Sequence, residues 1–350
     1  MPCSTTDSAC STTASRRSGD PVTGTFSVSD AVELAVVERS GFIESRHAGS
    51  AVVLSPEGEV LRDLGDTRTP TFPRSCLKPF QAVAVMTSGV TLRGEDAAIA
   101  TASHSGTAAH VALVRGLLAR ASLPASALGC PPAAPTDRAA RDELIRSGGP
   151  RERVYMNCSG KHAAMLLACA ANDWALDGYL DPEHPLQKRI LDVLERFTGE
   201  RPAATGVDGC GAPVHAISLH ALARGIQKIT TASASSPFAL YREAAALTEA
   251  AREHPWAVGG PGQPDTVAME RLGVFAKVGA EGVMVMTAPN GTTTALKVLD
   301  GSSRASTIIA LRLLAAAGAL EDDAIDAVQT ELDLWVLGGE RRVGRVRATV

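Results

Sequence analysis

The sequence predicts an α/β (α+β) sandwich, a largely antiparallel sheet with flanking helices, and three observations support this. Strand-forming runs lie toward both ends of the chain, helical periodicity fills the middle, and tight-turn sequences separate neighbouring strand runs. Because every strand needs a partner, strands at both ends indicate a sheet that joins distant parts of the chain. The predicted architecture is therefore one sheet with helices packed against it.

The first predicted elements are short strands over residues 31–37 and 51–54. The sequence Ser55-Pro-Glu-Gly58 follows the second strand and precedes another strand-forming run that begins at Val60. Proline and glycine at these places are typical of a reverse turn. We therefore expect the fold to open with an antiparallel hairpin.

The middle of the chain is predicted to be helical because its apolar residues recur at three- and four-residue spacing. The predicted helices cover residues 78–86, 108–121, 160–169 and 183–197. Strand-forming runs then return at residues 273–277, 282–288 and 293–299. A Pro-Asn-Gly turn at 289–291 joins the last two strands, and a final helix is predicted over residues 302–317.

Length and composition limit the classes of protein to which this chain can belong. Its 350 residues are 45% hydrophobic and 21% charged, enough to bury a large core. The formal net charge of -4 indicates neither a nucleic-acid partner nor an acidic membrane. Apolar runs fall short of the roughly 20 residues that a spanning helix needs, so no membrane partner is expected.

We expect one catalytic domain over residues 29–350, because no proline-rich or charged linker divides this part of the chain. Residues 1–28 are rich in serine and threonine, and no apolar segment follows Arg16 and Arg17. They are predicted to be a disordered tail and not a signal peptide. The seven cysteines are an odd number without the regular spacing of a secreted disulfide scaffold, which predicts reduced thiols and a cytoplasmic location.

A Ser-x-x-Lys sequence, from Ser75 to Lys78, stands at the start of a predicted helix. Residues three apart in a helix share one face, so the Ser75 hydroxyl and the Lys78 amine can come within hydrogen-bonding distance. A neutral lysine can take the proton of the serine and make it a nucleophile. The alternative, for this motif alone, is a capping serine beside a solvated lysine.

Two further elements of Ser-x-x-Lys acyl-transfer enzymes follow in the expected order. Ser103 lies in an Ala-Ser-His-Ser sequence, and Lys277 begins a Lys-Val-Gly sequence at the edge of a predicted strand. Ser103 and Lys277 are predicted to form a second pair, and Gly279 would let a substrate approach the strand closely. The alternative is a polar loop and a solvated strand end.

Two turn-rich segments carry the ligand types of a zinc site. They are Asn-Cys-Ser-Gly-Lys-His at residues 157–162 and Asp-Gly-Cys-Gly-Ala-Pro at residues 208–213. Neither Cys158 nor Cys210 belongs to a Cys-x-x-Cys pair. Spacing alone therefore favours buried, inert cysteines over a metal site.

Taken together, six motifs resemble those of the L-asparaginase II family, the Rhizobium etli-type asparaginases. In chain order they are Ser45-Arg46-His47, Arg74-Ser75-Cys76-Leu77-Lys78-Pro79-Phe80-Gln81-Ala82, Ala102-Ser103-His104-Ser105, Asn157-Cys158-Ser159-Gly160-Lys161-His162, Asp208-Gly209-Cys210-Gly211-Ala212-Pro213 and Lys277-Val278-Gly279-Ala280-Glu281-Gly282. The resemblance implies a homodimer that hydrolyses a small molecule, L-asparagine, to L-aspartate and ammonia. It also implies a fold similar to that of serine β-lactamases and penicillin-binding proteins.

The resemblance implies two catalytic Ser and Lys tandems. The first is Ser75 with Lys78, and the second is Ser103 with Lys277. We expect neutral Lys78 to activate Ser75 for attack on the substrate amide, which gives an acyl-enzyme that water hydrolyses. The second tandem would relay a proton to the leaving amine, and backbone N–H groups would stabilise the oxyanion.

The resemblance further implies a Zn²⁺ ion beside the site, modulatory and not directly catalytic, held by Cys158, Lys161 and Cys210. This reverses the conclusion from cysteine spacing. A lysine ligand must lose its proton to offer a lone pair, so we expect metal affinity to fall as pH drops. The candidate substrate-binding residues are Arg74, His162, Asp208 and Gly279, with Arg74 or His162 on the α-carboxylate and Asp208 also supporting the zinc ligands.

Two interpretations compete with an asparaginase. One is a related amide or lactam hydrolase of the Ser-x-x-Lys class, although the cysteine motifs are foreign to β-lactamases. The other is a non-catalytic zinc-binding relative, which would have no need of both serine and lysine pairs. Glutamine also stays open as the substrate, because one methylene is discriminated by only about 1 to 3 kcal/mol in a loosely fitted pocket.

Overall fold

The computed structural model describes residues 24–350, which form ten strands and twelve α-helices. The strands are β1 (Val32–Arg39), β2 (Phe42–Leu54), β3 (Val60–Leu64), β4 (Ala204–Val207), β5 (Pro213–Ala216), β6 (Phe275–Gly279), β7 (Val283–Thr287), β8 (Thr293–Val298), β9 (Trp335–Gly338) and β10 (Arg341–Ala348). Residues 1–23 of the predicted tail (residues 1–28) lie outside the described residues, and residues 24–28 lie within them. The Phe26 side chain in this second part is buried against the domain.

The helices are α1 (Lys78–Met86), α2 (Gly94–Ala100), α3 (Ala108–Arg120), α4 (Arg138–Arg146), α5 (Ser159–Ala171), α6 (Pro185–Thr198), α7 (Leu219–Thr230), α8 (Ala239–Glu253), α9 (Pro255–Val258), α10 (Pro264–Leu272), α11 (Ser306–Ala316) and α12 (Asp322–Val328). Between residues 24 and 350, no helix has the length and apolar character needed to cross a membrane.

The main sheet is antiparallel throughout. Its strands run in the order β6-β7-β8-β2-β1-β10-β9, with β3 also paired to β2. Pairing of β1 with β10 sets Val37 opposite Val346, so the sheet joins the two ends of the described chain. The predicted fold class, an antiparallel sheet with flanking helices, is confirmed.

The predicted elements have close counterparts in the structure. The hairpin of β2 and β3 turns through residues 55–58, where Gly58 adopts a φ of +89° that suits a glycine. The run at residues 51–54 is the end of a longer strand that begins at Phe42. Helices α1, α3, α5, α6 and α11 and strands β6, β7 and β8 lie where the sequence predicts them, to within a few residues.

Helices cover both faces of the sheet at its centre. Every residue of β7 and β8 is buried. Helices α7 and α11 both pack on these strands, and an antiparallel sheet without a solvent-facing side needs a layer on each face. Helices α1, α5, α6 and α8 pack together next to this sandwich, where the Phe80 and Phe197 rings meet with centroids 6.1 Å apart.

The candidate site lies where the helical layer meets the edge strand β6. Four segments converge there: the turn before α1, the loop after α2, the start of α5 and β6 itself. A Cβ added at Gly160 would lie 2.2 Å from the Ile99 carbonyl oxygen, so only glycine lets α5 pack this closely on α2. This close approach brings the start of α5 next to the loop that carries Ser103.

Candidate active site

Ser75 and Lys78 lie one helical turn apart at the beginning of α1. Ser75 is half-buried in a 3₁₀ turn, and Lys78 is 1% exposed at the first position of α1. The Lys78 amine donates hydrogen bonds to the Ala102 carbonyl oxygen (2.5 Å) and to Ser103 Oγ (2.9 Å). Within the described part of the chain, Ser75 Oγ has no hydrogen-bond partner, so its hydroxyl is available to a substrate.

Ser103 lies between two lysines. Its Oγ is 2.9 Å from Lys78 Nζ and 2.9 Å from Lys277 Nζ, and the Ser103 backbone N–H donates to the Val258 carbonyl oxygen at 2.8 Å. A hydroxyl has one proton to donate and two lone pairs that accept. Ser103 can therefore pass a proton between the two amines. We refer to Ser75, Lys78, Ser103 and Lys277 as the serine–lysine cluster.

Burial makes Lys277 unusually acidic for a lysine. Its side chain is fully buried in β6, and its amine also donates to the Val278 carbonyl oxygen at 3.1 Å. Loss of hydration and, next, the positive charge of Lys78 lower the pKa of Lys277 to about 8. An amine with this pKa can both give and take a proton near neutral pH.

The residue before Ser75 has an uncommon backbone conformation. Arg74 adopts a φ of +52°, a left-handed value that is costly for a residue with a side chain and is found where the surroundings enforce it. Arg74 Nε donates to Asp208 Oδ1 at 2.8 Å, and a terminal nitrogen of the same guanidinium lies 3.8 Å from Glu281. These two carboxylates hold the strained turn that presents Ser75.

A cleft opens beside this turn. It has a volume of about 670 Å³, and Arg74, Phe72, Glu281 and Lys297 are among its lining residues. Lys297 donates from its amine to the Glu281 carbonyl oxygen at 2.8 Å, which fixes one wall. No member of the serine–lysine cluster lines this cleft, but Arg74, which lines it, directly precedes Ser75 in the chain.

Cys158, Lys161 and Cys210 come together next to this cluster, and we refer to them as the thiol cluster. Cys158 caps the N-terminus of α5, and Lys161 lies three residues later on the same face of the helix. Cys210 belongs to the turn between β4 and β5. The Cys158 thiol donates to Asn157 Oδ1 at 3.2 Å, the electrostatics of Cys158, Lys161 and Cys210 are mutually linked, and all three side chains are buried.

The thiol cluster carries opposite charges in close contact. Interaction with Cys210 lowers the pKa of Cys158, whereas the same interaction together with burial raises the pKa of Cys210. Burial acts to lower the pKa of Lys161, but attraction to Cys210, Cys158 and Asp208 outweighs it and the net shift is upward. Burial likewise acts to raise the pKa of Asp208, but Lys161 and Arg74 lower it overall. The charges of Lys161 and Asp208 are therefore both favoured by their neighbours in this cluster.

The chemistry of these donors suits zinc. Within residues 24–350, no group of three or more His, Cys, Asp or Glu side chains is arranged to hold a metal ion. The thiol cluster instead offers two sulfurs and one amine, and sulfur and nitrogen are the donors that Zn²⁺ prefers. Two buried thiols and one buried amine match the donor types of this ion, provided that it displaces the Lys161 proton.

His162 and Gly279, two of the four candidate substrate-binding residues, have contacts within the protein. The His162 ring is fully buried, and its Nδ1 lies 2.6 Å from the Tyr179 hydroxyl. A Cβ at Gly279 would lie 2.6 Å from the Pro73 carbonyl oxygen, so this glycine lets β6 approach the turn that presents Ser75. Arg74 and Asp208, by contrast, lie near the cleft.

Two residues of the site, Tyr179 and Asp265, lie outside the sequence motifs, and a third, His104, lies in the Ala-Ser-His-Ser motif but is not among the predicted site residues. Tyr179 accepts a hydrogen bond from the Gly129 backbone while it contacts His162. His104 Nε2 lies 2.8 Å from Ser159 Oγ, which donates to the Val154 carbonyl oxygen, so His104 is the donor of the pair. Asp265 is a buried carboxylate at the start of α10. Only the fold brings these residues to the site.

Comparison with solved structures finds several that are similar to the chain. Mglu in its native form is 13% identical, with 77% of this chain and 64% of Mglu covered and a TM-score of 0.42. A Bacillus glutaminase is 13% identical, with 78% and 92% covered and a TM-score of 0.42. A β-lactamase from Mycobacterium bovis is 17% identical, with 81% and 94% covered and a TM-score of 0.37. We transfer no residue role from these structures.

Comparison at the level of sequence identifies the family. No curated protein matches the chain. The family model of L-asparaginase II matches residues 35–348, a span that includes every residue of the serine–lysine cluster and of the thiol cluster. This is the family that the six motifs resemble. The chain thus belongs to the L-asparaginase II family, which is a family of amidohydrolases.

Proposed function

We propose that the protein is an L-asparaginase that hydrolyses L-asparagine to L-aspartate and ammonia through an acyl-enzyme on Ser75. The observation that carries the proposal is the serine–lysine cluster, in which Lys78 and Lys277 both contact the Ser103 hydroxyl at 2.9 Å. Two buried amines sharing one hydroxyl provide a proton route. A binding protein has no use for such a route, and an amidase needs one to release ammonia.

In the first step, Lys78 in its neutral form takes the Ser75 proton as Ser75 Oγ attacks the side-chain carbonyl carbon of asparagine. The C–O bond forms while negative charge collects on the carbonyl oxygen, where backbone N–H groups of the strained turn would stabilise it. Arg74 precedes Ser75 at a φ of +52°, and this geometry holds the nucleophile at the cleft before substrate arrives.

In the second step, the bond from the carbonyl carbon to the amide nitrogen breaks. The departing nitrogen takes a proton from Ser103, and Ser103 is reprotonated by Lys277 or Lys78, both 2.9 Å away. Ammonia leaves an ester of Ser75 with the β-carboxyl of aspartate. Water then attacks the ester with the same groups acting in reverse, which restores Ser75 and releases L-aspartate.

Arg74 is the proposed partner of the substrate α-carboxylate. Its Nε is engaged by Asp208, whereas its terminal nitrogens face the cleft and Glu281. A guanidinium with free terminal nitrogens binds a carboxylate through two parallel hydrogen bonds. The adjacent carboxylate of Glu281, whose side chain is 65% exposed, is placed to attract the substrate α-ammonium.

The thiol cluster is the proposed holder of a Zn²⁺ ion, with Cys158, Lys161 and Cys210 as ligands and Asp208 as their neighbour. When bound, the ion would supply a fixed positive charge beside the site and hold α5 against the turn that carries Cys210. The reaction steps above are assigned to the serine–lysine cluster alone. The metal therefore has a modulating role in this proposal.

The test is ammonia release by the purified protein from L-asparagine and from L-glutamine, with metal content measured in parallel. We expect release from asparagine, and a loss of at least about 10³-fold in kcat for Ser75→Ala. Ser88→Ala is the matched control, since Ser88 lies just beyond α1 with its hydroxyl bonded to the Ala84 carbonyl oxygen.

Three outcomes would contradict the proposal in distinct ways. Full activity in Ser75→Ala together with a dead Ser103→Ala variant would move the nucleophile to Ser103. Release from glutamine alone would change the substrate. Release from neither amide by a folded protein would reject the asparaginase and leave another amide or lactam substrate to be found.

A further inference from the structure

Asp265 is a buried carboxylate without a counter-ion bond. It is 3% exposed, and it is the only aspartate or glutamate among the buried residues of the described chain. Its Oδ1 accepts a hydrogen bond from the neighbouring Thr266 backbone N–H at 3.0 Å. Its Oδ2 is buried and has no hydrogen-bond partner within residues 24–350. An ionised group in this state costs several kcal/mol unless a charge nearby offsets the lost hydration.

The charge nearby is Lys277. Asp265 lies in the first turn of α10, and α10 packs directly on β6, the strand that carries Lys277. The carboxylate acts electrostatically on Lys277 and on Cys76, which lies under the same strand. Gly259 makes room for the carboxylate, since a Cβ there would lie 2.5 Å from Asp265 Oδ1.

The remaining charged or titratable groups around Lys277 do not offer the same support. Lys78, from α1, repels it. Cys76, from the turn before α1, is held neutral because burial raises the pKa of its thiol to about 12. Cys158, from the start of α5, belongs to the thiol cluster and is engaged with Cys210. Among these described groups around Lys277, the Asp265 carboxylate on α10 is thus the acidic side chain that lies outside the thiol cluster and has no side-chain partner of its own.

We propose that Asp265 is the charge partner of Lys277, a positioning residue that keeps this amine cationic and available as the proton donor of Ser103. The inference deepens the proposed function and rests on it for its catalytic meaning. The electrostatic part rests on the burial of Asp265, on its unpartnered oxygen and on the packing of α10 against the strand that carries Lys277. Burial and Lys78 both disfavour the ammonium of Lys277, and Asp265 opposes them, which leaves the pKa of Lys277 at about 8.

The test is a direct titration of Lys277 by NMR of the full-length protein labelled with ¹³C-lysine. The chain has six lysines, so the resonance can be assigned with Lys277→Arg. In Asp265→Asn, which keeps the shape and removes the charge, the Lys277 titration should move to lower pH by about one unit. Glu270→Gln is the matched control, because Glu270 lies on the same helix with its side chain exposed, and it should leave the titration unchanged.

An unshifted Lys277 titration in folded Asp265→Asn would overturn the proposal. Asp265→Ser is the second variant, and its Lys277 titration should move to lower pH as well; an unshifted titration in both folded variants would mean that Asp265 lends the ammonium no support. Ammonia release is measured alongside, and the alkaline limb of the pH profile should move with the titration. If the Lys277 titration shifts in Asp265→Asn but the wild type releases ammonia from neither amide, the proposed function is rejected, and the interaction of Asp265 with Lys277 is still supported.

Discussion

Two buried lysines lie within one site, and burial has opposite results for them. Lys277, in the serine–lysine cluster, faces a second ammonium and hydroxyl or carbonyl oxygens, and its pKa falls to about 8. Lys161, in the thiol cluster, faces two sulfurs and Asp208, and its pKa rises despite complete burial. Because both side chains are fully buried, the comparison shows that the charges of the neighbours decide in which direction the pKa of a buried lysine moves. One is suited to move protons and the other to hold a charge in place.

The largest effect is expected from Lys277→Met, which removes the proton donor and keeps the side-chain length. We expect kcat to fall by about 10²- to 10⁴-fold, the usual contribution of general acid–base catalysis. Lys188→Met, at an exposed position of α6, is the control. A steady-state assay with asparagine measures the loss, and an unchanged kcat would remove Lys277 from the proton route.

Substitutions in the thiol cluster should change the zinc content of the protein more than they change kcat. In Cys158→Ser with Cys210→Ser, zinc measured by elemental analysis should fall from about one ion per chain to near zero, because two of three ligands are lost. Cys169→Ser, a buried cysteine outside the cluster, should keep its metal. Zinc bound to the wild type should also decline as pH is lowered, since protons compete for Lys161. Equal zinc in the double variant would contradict the ligand assignment.

Replacing the two lysines by methionine should change the free energy of unfolding in opposite directions. Measured against Asp265→Asn as the parent, so that no buried carboxylate loses its cation, Lys277→Met should raise the free energy of unfolding at pH 7 by about 1 to 3 kcal/mol, because the buried ammonium of Lys277 costs free energy. The unfolded chain binds more protons than the native one between the pKa of about 8 and the usual 10.5. The wild type therefore gains stability as pH rises through this window, and the difference should shrink there.

In the metal-free protein, Lys161→Met should instead lower the free energy of unfolding, by about 3 kcal/mol, because it removes the buried cation beside Cys158 and Cys210, while Asp208 keeps its bond to Arg74. Urea titration of both variants, the wild type and Asp265→Asn, at pH 7 and at pH 10, measures the pair of effects. Changes of the same sign in the two variants would break the comparison.

The smallest effect concerns substrate position. Arg74→Lys keeps the charge and loses the planar fork, so KM for asparagine should rise about 10-fold with kcat changed less. Arg93→Lys, an exposed arginine paired with Glu243, is the control. A large fall in kcat at constant KM would show that Arg74 serves mainly to hold the turn of Ser75.

Much of the fold was predictable because its signals are local. Apolar spacing located α1, and a Pro-Asn-Gly turn located the hairpin of β7 and β8. The hairpin of β9 and β10 was missed, because closely spaced arginines within residues 341–347 mask the alternation of a strand that pairs with β1. Its strand character depends on a partner at the other end of the chain.

The site was predictable in its residue types and less so in its contacts. The spacing of Ser75 and Lys78 correctly put them one turn apart. The direction of the Lys78 amine, toward Ser103, depends on the loop after α2, which no local pattern relates to α1. Asp265 follows a run of glycine and proline that is typical of an exposed loop, and only the packing of α10 on β6 buries it.

The pairing of β1 with β10 has a consequence for biosynthesis. A ribosome makes β1 early and β10 about 300 residues later, which at ordinary elongation rates is a delay of roughly 15 to 60 seconds. During that time the nascent chain exposes an unpaired strand edge, the kind of surface on which chains aggregate. Slow closure of the sheet is therefore the step at which production of this protein is most exposed to heat and to high expression levels.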